Sequence, residues 1–262
     1  QWIRGWVQLL LSPKARLRII LAVLVIGLIL TRSRMGNSAF FISMTLSALA
    51  ALLLSRQLPR SLLILFVRFV VIDTFLLGAY FGVDRVVQRI STTSAATEAR
   101  DEVNRYSFKL WQDYKIMGSG AGSYYVTFPH YRGHDIRGYY DYAHNDYAQI
   151  AGETGLLGLG LLGGFLLSSF WAAMRAQSVR GDPLMKGLSF AVIMSVVALI
   201  IHSAVDFSLQ IPANAGTFMV ILAMGWVALT VSRHRPHKRR KRRRRANSEH
   251  ATDVEVAVSP QA

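Results

Sequence analysis

The residues that could best do chemistry form a polar run around one histidine: His144-Asn145-Asp146-Tyr147. An imidazole ordinarily has a pKa of about 6.5, so His144 could take or give a proton near neutral pH. If a helix begins near Asp146, it places Gln149 and Glu153 near one face, at i+3 and i+7. The structural alternative is that His144 is a solvated loop residue and that Asn145 or Asp146 caps a helix.

Three arginines are candidate anion ligands. Arg32 and Arg34 follow an apolar run, where they could grip a phosphate or pyrophosphate as a fork or simply extend to lipid headgroups. Arg105 lies in residues 100–115, which are predicted to form a helix. It could bind an anion, or it could simply lie on a solvated face of that helix.

A glycine-rich turn at residues 118–123 follows this helix. Its backbone N–H groups could bind an anion, with Gly120 and Gly122 as the candidate contacts. The turn lacks the Lys-Ser/Thr ending of a P-loop and follows a helix rather than a strand, so a flexible turn is the default interpretation. The chain has no cysteine, which excludes disulfides and thiolate metal sites.

Long apolar segments must position these residues, because 52% of the chain is hydrophobic. Six segments approach the length that crosses a bilayer: residues 17–31, 38–54, 61–81, 155–174, 187–209 and 211–231. Continuous apolar runs favour helices over barrel strands. The sequence therefore predicts an all-α, polytopic transmembrane bundle of about six spans, with one long, partly helical loop at residues 82–154 and almost no loop between the last two spans.

The basic residues predict the orientation of the spans and the function of the tail. Lys and Arg cluster in the loops that share one side, which the positive-inside rule makes cytoplasmic. Residues 31–37 and 82–154 then face outward. We expect residues 1–16 to be an interfacial or cytoplasmic segment, residues 17–231 the membrane domain, and residues 232–262 a basic, disordered cytoplasmic tail. After a span, such a tail favours binding to anionic lipid over nucleic acid.

Four motifs in this order resemble the O-antigen ligase and O-antigen polymerase superfamily. Residues 143–159, AHNDYAQIAGETGLLGL, resemble its signature, and residues 31–36, TRSRMG, resemble its Ser-Arg-Gly-Gly element with Met35 displacing the glycine. Arg105, Trp111 and residues 118–122 resemble its loop helix and glycine turn, and residues 202–207, HSAVDF, resemble its later membrane element. The resemblance covers about residues 17–231, the C-terminal half of such proteins, so we expect further helices before Gln1.

This resemblance implies a GT-C-like, metal-independent glycosyltransferase that needs no cofactor. It would take a glycan from undecaprenyl diphosphate at the periplasmic face of the bacterial inner membrane and pass it to an acceptor. The resemblance assigns catalytic roles to Arg34 and Arg105, which would hold the diphosphate, and to His144, which would activate or orient the acceptor hydroxyl. As candidate substrate contacts we add the following residues: Arg32, Asn145, Tyr147, Glu153, Gly120 and Gly122.

Alternative functions remain open on sequence. A ligase passes the glycan to lipid A-core or a protein and is preferred by analogy with the family, whereas a polymerase passes it to another lipid-linked repeat. A membrane transporter would use His202, Asp206, Arg68 and Asp73 as an intramembrane path, although no inverted repeat is evident. A membrane scaffold would instead recruit partners through the basic tail.

Overall fold

The computed structural model describes residues 12–31, 33–54, 94–136 and 138–231, without the side chains of residues 13, 14, 18, 34 and 94–100. Within these ranges the order of α-helices is α1 Pro13–Leu30, α2 Arg34–Leu54, α3 Ser94–Asp113, α4 Tyr124–Thr127, α5 Asp146–Val179, α6 Pro183–Ser203 and α7 Pro212–Thr230. Two short 3-10 turns, Phe128–His130 and Ser208–Gln210, accompany them, and the described part of the chain contains no strand. The predicted all-helical architecture is confirmed.

Four of the described helices, α2, α5, α6 and α7, are long and apolar enough to cross a membrane. The predicted first span forms α1, but Lys14, Arg16 and Arg18 occupy its first two turns. Its uncharged remainder, residues 19–30, is only about 18 Å long at 1.5 Å per residue. The predicted third span, residues 61–81, lies outside the described residues. The described structure therefore has fewer candidate spans than the six predicted.

The candidate spans pack around α6, which contacts both α2 and α5. Helices α5, α6 and α7 share a core of buried residues: Ala173, Val192, Ile193, Val196, Phe218 and Leu222. Helix α7 comes close to α5 at Gly225, where an added Cβ would lie 2.9 Å from the carbonyl oxygen of Ser169. Trp226 Nε1 also donates a hydrogen bond to Ser169 Oγ at 3.2 Å. Small residues at this crossing let the two backbones approach.

Helix α5 begins nine residues before the predicted apolar segment and breaks at Gly155, whose φ of 63° and ψ of −168° are not helical. The N–H groups of Leu156 and Leu157 beyond the break donate to the carbonyl oxygens of Lys115 and Ile116, at 2.8 and 3.1 Å. Unpaired backbone groups are costly near lipid. The loop after α3 therefore supplies the hydrogen bonds that the broken helix cannot make itself.

The long loop has a core of its own, formed by α3, α4 and the residues that lead into α5. The buried residues are Val103, Leu110, Tyr124, Phe128, Ile136 and Ala143. Leu110 packs against Gly152, so this core rests directly on the first part of α5. The helix predicted at residues 100–115 is confirmed in α3, Ser94–Asp113, which ends two residues earlier than predicted.

The connection between the last two candidate spans is longer than predicted. Helix α6 ends at Ser203 instead of continuing to residue 209, and a turn and a 3-10 turn follow before Pro212 starts α7. The prediction of almost no loop here was wrong. The physical reason is that backbone groups of this connection bind the start of α5: the carbonyl oxygen of Asp206 accepts from Asp146 N at 3.1 Å.

The chain divides after Leu229, and in the second unit, Thr230–Ala262, only Thr230 and Val231 are described. The predicted basic tail, residues 232–262, therefore lies outside the described residues, as does most of the predicted interfacial segment at residues 1–16. Their predicted locations and the lipid binding of the tail stay predictions.

Candidate functional site

His144 lies two residues before the start of α5, in a backbone conformation that is uncommon for a residue with a side chain. Its φ is +51°, in the left-handed region, so the surrounding contacts must hold it there. Its half-buried imidazole meets the ring of Tyr140 edge-on at 6.2 Å and that of Phe207 at 4.9 Å, centroid to centroid. The imidazole is therefore held in place between the loop and the α6–α7 connection.

Asn145 is the N-cap of α5. Its side-chain Oδ1 accepts a hydrogen bond from Ala148 N at 3.1 Å, and its carbonyl oxygen accepts one from Gln149 N. This confirms that a helix begins at Asp146 and that Asn145 caps it. A contact between Asn145 and substrate stays a prediction.

Asp146 is fully buried and joins α5 to the α6–α7 connection. Its Oδ2 accepts hydrogen bonds from Ser203 Oγ at 2.9 Å and Leu209 N at 3.1 Å, and its Oδ1 accepts one from Gln210 Nε2 at 3.3 Å. The sequence alone indicates only that Asp146 could cap a helix. The signal that could have found this role is an acidic residue that opens an otherwise apolar helix.

Tyr147, a predicted substrate contact, uses its hydroxyl within the bundle. The hydroxyl donates to the carbonyl oxygen of Ile200 in α6 at 2.8 Å, while 42% of the residue remains exposed. Tyr147 therefore adds a second connection between the start of α5 and the end of α6. Its exposed ring leaves the substrate contact as a prediction.

His202 and Asp206, which are spaced i, i+4, contact each other. His202 Nε2 lies 3.6 Å from Asp206 Oδ2, and His202 Nδ1 lies 3.0 Å from Ser208 Oγ. Asp206, however, lies beyond the end of α6 at Ser203 rather than inside a span. Both nitrogens of the imidazole thus have polar neighbours at this end of the bundle.

The start of α2 lies beside His202. A Cβ built on Gly36 would be 3.7 Å from His202 Nε2, which brings the residue 31–36 motif to the same end of the bundle as His202. Arg34 is the first residue of α2, but its side chain and the whole of Arg32 lie outside the described residues. Their anion contacts stay predictions.

Asn37, one turn after Arg34, is a residue that the sequence analysis missed. It is 2% exposed, and its Oδ1 has no hydrogen-bond partner among the described residues. A buried acceptor without a partner is costly. The sequence feature that could have identified Asn37 is an amide side chain in the first turn of an apolar helix.

Glu153 fills the glycine-rich turn with its own carboxylate. Oε2 accepts from Gly122 N at 2.8 Å, and Oε1 accepts from Tyr124 N at 3.1 Å and from Gln149 Nε2 at 3.2 Å. The backbone N–H of Gly120 donates to the carbonyl oxygen of Glu153 at 2.9 Å. The turn is thus an anion nest as hypothesised, occupied by this chain's own side chain.

The turn depends on its glycines, because Gly118, Gly120 and Gly122 have φ values of 75°, 115° and 72°. The predicted common face of Gln149 and Glu153 is confirmed by their hydrogen bond. This geometry gives Glu153, Gly120 and Gly122 a structural task. Their contact with substrate stays a prediction.

Arg105 already binds an oxyanion within the loop. Its Nη2 donates to Asp135 Oδ2 at 2.9 Å, and 60% of its side chain is exposed. Tyr106 donates its hydroxyl to Asp135 Oδ1 at 2.8 Å. This hydrogen bond, together with the positive charge of Arg105, holds the pKa of Asp135 below its usual range. The contact of Arg105 with a diphosphate stays a prediction.

Arg105 and His144 are carried by one packed unit. Tyr106, next to Arg105, and Tyr140, whose ring contacts His144, both pack against the buried core of the loop. Within the described ranges, no three His, Asp or Glu side chains are grouped so that they could hold a metal ion. The described structure thus brings the starts of α2 and α5 and the end of α6 together, and the packed loop that carries Arg105 rests on the first part of α5.

Residues 19–163 match the model of a protein family described as O-antigen ligase. The match covers more than half of the chain and includes Arg34, Arg105, His144 and the glycine-rich turn. It ends before the α6–α7 connection. No protein among the curated sequences matches this chain.

Proposed function

The chain belongs to the O-antigen ligase family, and we propose that it transfers a glycan from an undecaprenyl-diphosphate carrier to an acceptor, with lipid A-core as the preferred one. Family membership and the apolar helices identify a multi-pass membrane protein of the ligase- or polymerase-type glycosyltransferases. Location in the bacterial inner membrane, with the loop in the periplasm, is part of the proposal.

The observation that carries the proposal is the meeting of three sequence motifs at one end of the helices. The start of α2 lies against His202. The start of α5 is hydrogen-bonded to the α6–α7 connection through Asp146. His144 is held between that connection and the loop. Active sites bring together side chains from separate elements, and this arrangement supports a site at this end.

The proposed reaction is an attack by an acceptor hydroxyl on the anomeric carbon of the donor glycan. The new carbon–oxygen bond forms as the bond between the anomeric carbon and the diphosphate breaks. His144 takes the hydroxyl proton. Arg34 and Arg105 bind the diphosphate and offset the negative charge that grows on it as it leaves with the lipid. The donor is already activated, so the reaction requires no nucleotide.

The test uses the reconstituted protein with a lipid-linked glycan and lipid A-core. We expect Arg34→Ala and His144→Ala each to abolish transfer while the protein still inserts into liposomes. The matched control is His134→Ala, because His134 is an exposed histidine of the same loop, and it should retain transfer. Full activity in either site variant would remove that residue from the mechanism.

A deletion strain separates the ligase from the polymerase. If the chain is a ligase, the strain should lack all capped lipid A-core while polymer remains on the carrier. If it is a polymerase, lipid A-core should carry single-repeat caps. Unchanged surface glycans would contradict both functions.

The structure describes two of the four residues on which the transporter alternative rests. His202 contacts Asp206 and Ser208 at the end of α6, while Arg68 and Asp73 lie outside the described residues. Solute uptake into liposomes without glycan transfer would favour the transporter.

The scaffold alternative predicts that deleting residues 233–262 abolishes function, whereas the enzyme should keep its transfer activity after this deletion.

A further inference from the structure

We propose that the ring of Tyr142, stacked on Phe207 beside His144, is the platform on which a pyranose ring of the acceptor glycan lies. This inference rests on the function proposed above and adds an acceptor-binding residue to it. Tyr142 is not among the residues that the sequence singled out, and its role follows from the arrangement of three rings.

The first observation is the geometry of the ring pair. The rings of Tyr142 and Phe207 are 4.6 Å apart, centroid to centroid, and only 4° from parallel. Phe207 therefore packs on one face of the Tyr142 ring, while 36% of the Tyr142 residue is exposed. The stacking holds the orientation of the ring, so little side-chain entropy is lost when a ligand binds it.

The second observation is the position of this pair. Phe207 contacts Tyr142 with its face and meets the ring of His144 at 4.9 Å and 79°. Phe207 thus links the ring of Tyr142 to the imidazole that is proposed to take a proton from the acceptor hydroxyl, and Tyr142 lies only two residues before His144 in the chain. In the proposed reaction the arginines bind the diphosphate of the donor and His144 acts on the acceptor, so we assign the sugar on Tyr142 to the acceptor.

The third observation is that the base of the platform is fixed to the helix that follows His144. Phe207 N donates to Asp206 Oδ1 at 2.9 Å, and the carbonyl oxygen of Phe207 accepts from Gln210 N at 3.0 Å. The carbonyl oxygen of Asp206 accepts from Asp146 N, the first residue of α5. Hydrogen bonds therefore hold Phe207, the ring under the platform, in a fixed position relative to the start of α5.

The chemistry of a pyranose fits such a surface. One face of many pyranose rings carries mainly C–H groups, which contact the electron-rich face of an aromatic ring favourably, while the hydroxyl groups point outward from the rim. An aromatic ring therefore positions the sugar without engaging its hydroxyls. One of these hydroxyls can then reach His144.

Steady-state transfer kinetics with lipid A-core as acceptor test the proposal. We expect Tyr142→Ala to raise the KM for the acceptor about tenfold, equivalent to about 1.4 kcal/mol, while the KM for the lipid-linked donor changes less than about twofold. Tyr142→Phe and Tyr142→Trp should keep the KM for the acceptor near that of the wild type, because both retain a flat ring.

Tyr125→Ala is the matched control. Tyr125 is another exposed tyrosine of the loop, 52% exposed. The contact described for it, a hydrogen bond from the hydroxyl of Tyr139, uses its backbone carbonyl, which alanine retains. It should leave both KM values unchanged. An unchanged acceptor KM in Tyr142→Ala, or an equal rise in both KM values, would overturn the proposal.

A binding measurement separates failure of this proposal from failure of the proposed function. In Tyr142→Trp, titration with lipid A-core should change the tryptophan emission relative to the wild-type protein titrated in the same way. If the emission changes but no transfer occurs with any acceptor, the platform stands and the proposed function fails. If transfer occurs and depends on His144 but the emission does not change, the function stands and the platform fails.

Discussion

The carboxylate of Glu153 accepts a hydrogen bond from the backbone N–H of Gly122 at 2.8 Å, although 31 residues separate the two in the chain. The same carboxylate binds Tyr124 N. Glu153 therefore attaches the loop that carries Arg105 to the helix that begins beside His144. The relative position of the two proposed catalytic residues depends on this attachment, and substitutions along it can be tested.

Glu153→Gln should loosen the glycine-rich turn. In the wild type, each carboxylate oxygen of Glu153 accepts a hydrogen bond from a backbone N–H group. A glutamine amide keeps only one acceptor oxygen, so its NH2 group must face one of these N–H groups, donor against donor. A buried donor left without an acceptor costs about 1–3 kcal/mol. We expect a lower melting temperature in detergent and faster hydrogen exchange in residues 118–124. The exposed Asp101 provides the control Asp101→Asn, which should change neither quantity.

Gly155→Ala should disrupt the break in α5. A Cβ at Gly155 would collide with the carbonyl oxygen of Ile116, and its φ of +63° disfavours any side chain. We expect destabilisation of more than about 1 kcal/mol, measured by thermal unfolding in detergent.

The control for this prediction is Gly160→Ala in the same helix, because beyond the adjacent backbone of α5 no described atom lies within 4 Å of a Cβ at Gly160. Alanine is favoured over glycine within a helix, so this variant should be as stable as the wild type or slightly more stable. Equal melting temperatures for the two variants would contradict the predicted role of Gly155.

Asp146→Ala should detach α5 from the α6–α7 connection. The substitution removes the acceptor for Ser203 Oγ, Leu209 N and Gln210 Nε2. The hydrogen bond from Ser203 is buried, and a buried donor without a partner costs about 1–3 kcal/mol. We expect a clear fall in stability and a loss of transfer, since Phe207 and His144 both depend on this junction. The control is Asp141→Ala, at an exposed aspartate of the same loop, which should keep the stability and transfer activity of the wild type. Equal effects of the two substitutions would argue against a specific role of Asp146.

The contact between Arg105 and Asp135 should persist at every pH near neutrality. The hydrogen bond from Tyr106, aided by Arg105, lowers the pKa of Asp135 from its ordinary 3.8. A carboxyl whose folded pKa is lowered contributes stability above its unfolded pKa and loses it only as the pH falls through the folded value. Transfer measured from about pH 5 to pH 8 should therefore have the same pH dependence in Asp135→Asn as in the wild type. A shifted profile would show that Asp135 titrates in this range.

The sequence by itself determined the helical membrane architecture and most of the candidate residues. Hydropathy is a local property, so the segments that form α2, α5, α6 and α7 could be recognised without knowing what they pack against. The start of α5 was also locally encoded, because Asn145 caps it with its own side chain. The family signature around His144 likewise needed only the order of residues, and the family match agrees with it.

Only the tertiary structure decided what the buried acids bind and where the last spans end. The partners of Asp146 lie 57 to 64 residues further along the chain, and hydropathy carries no information about such distant pairs. Helix α6 ends at Ser203 because the following backbone binds α5, although its sequence continues to look apolar. For the same reason the residues of the glycine-rich turn left a flexible turn as the default interpretation and an anion nest as the alternative, and packing decided for the nest with Glu153 as its occupant.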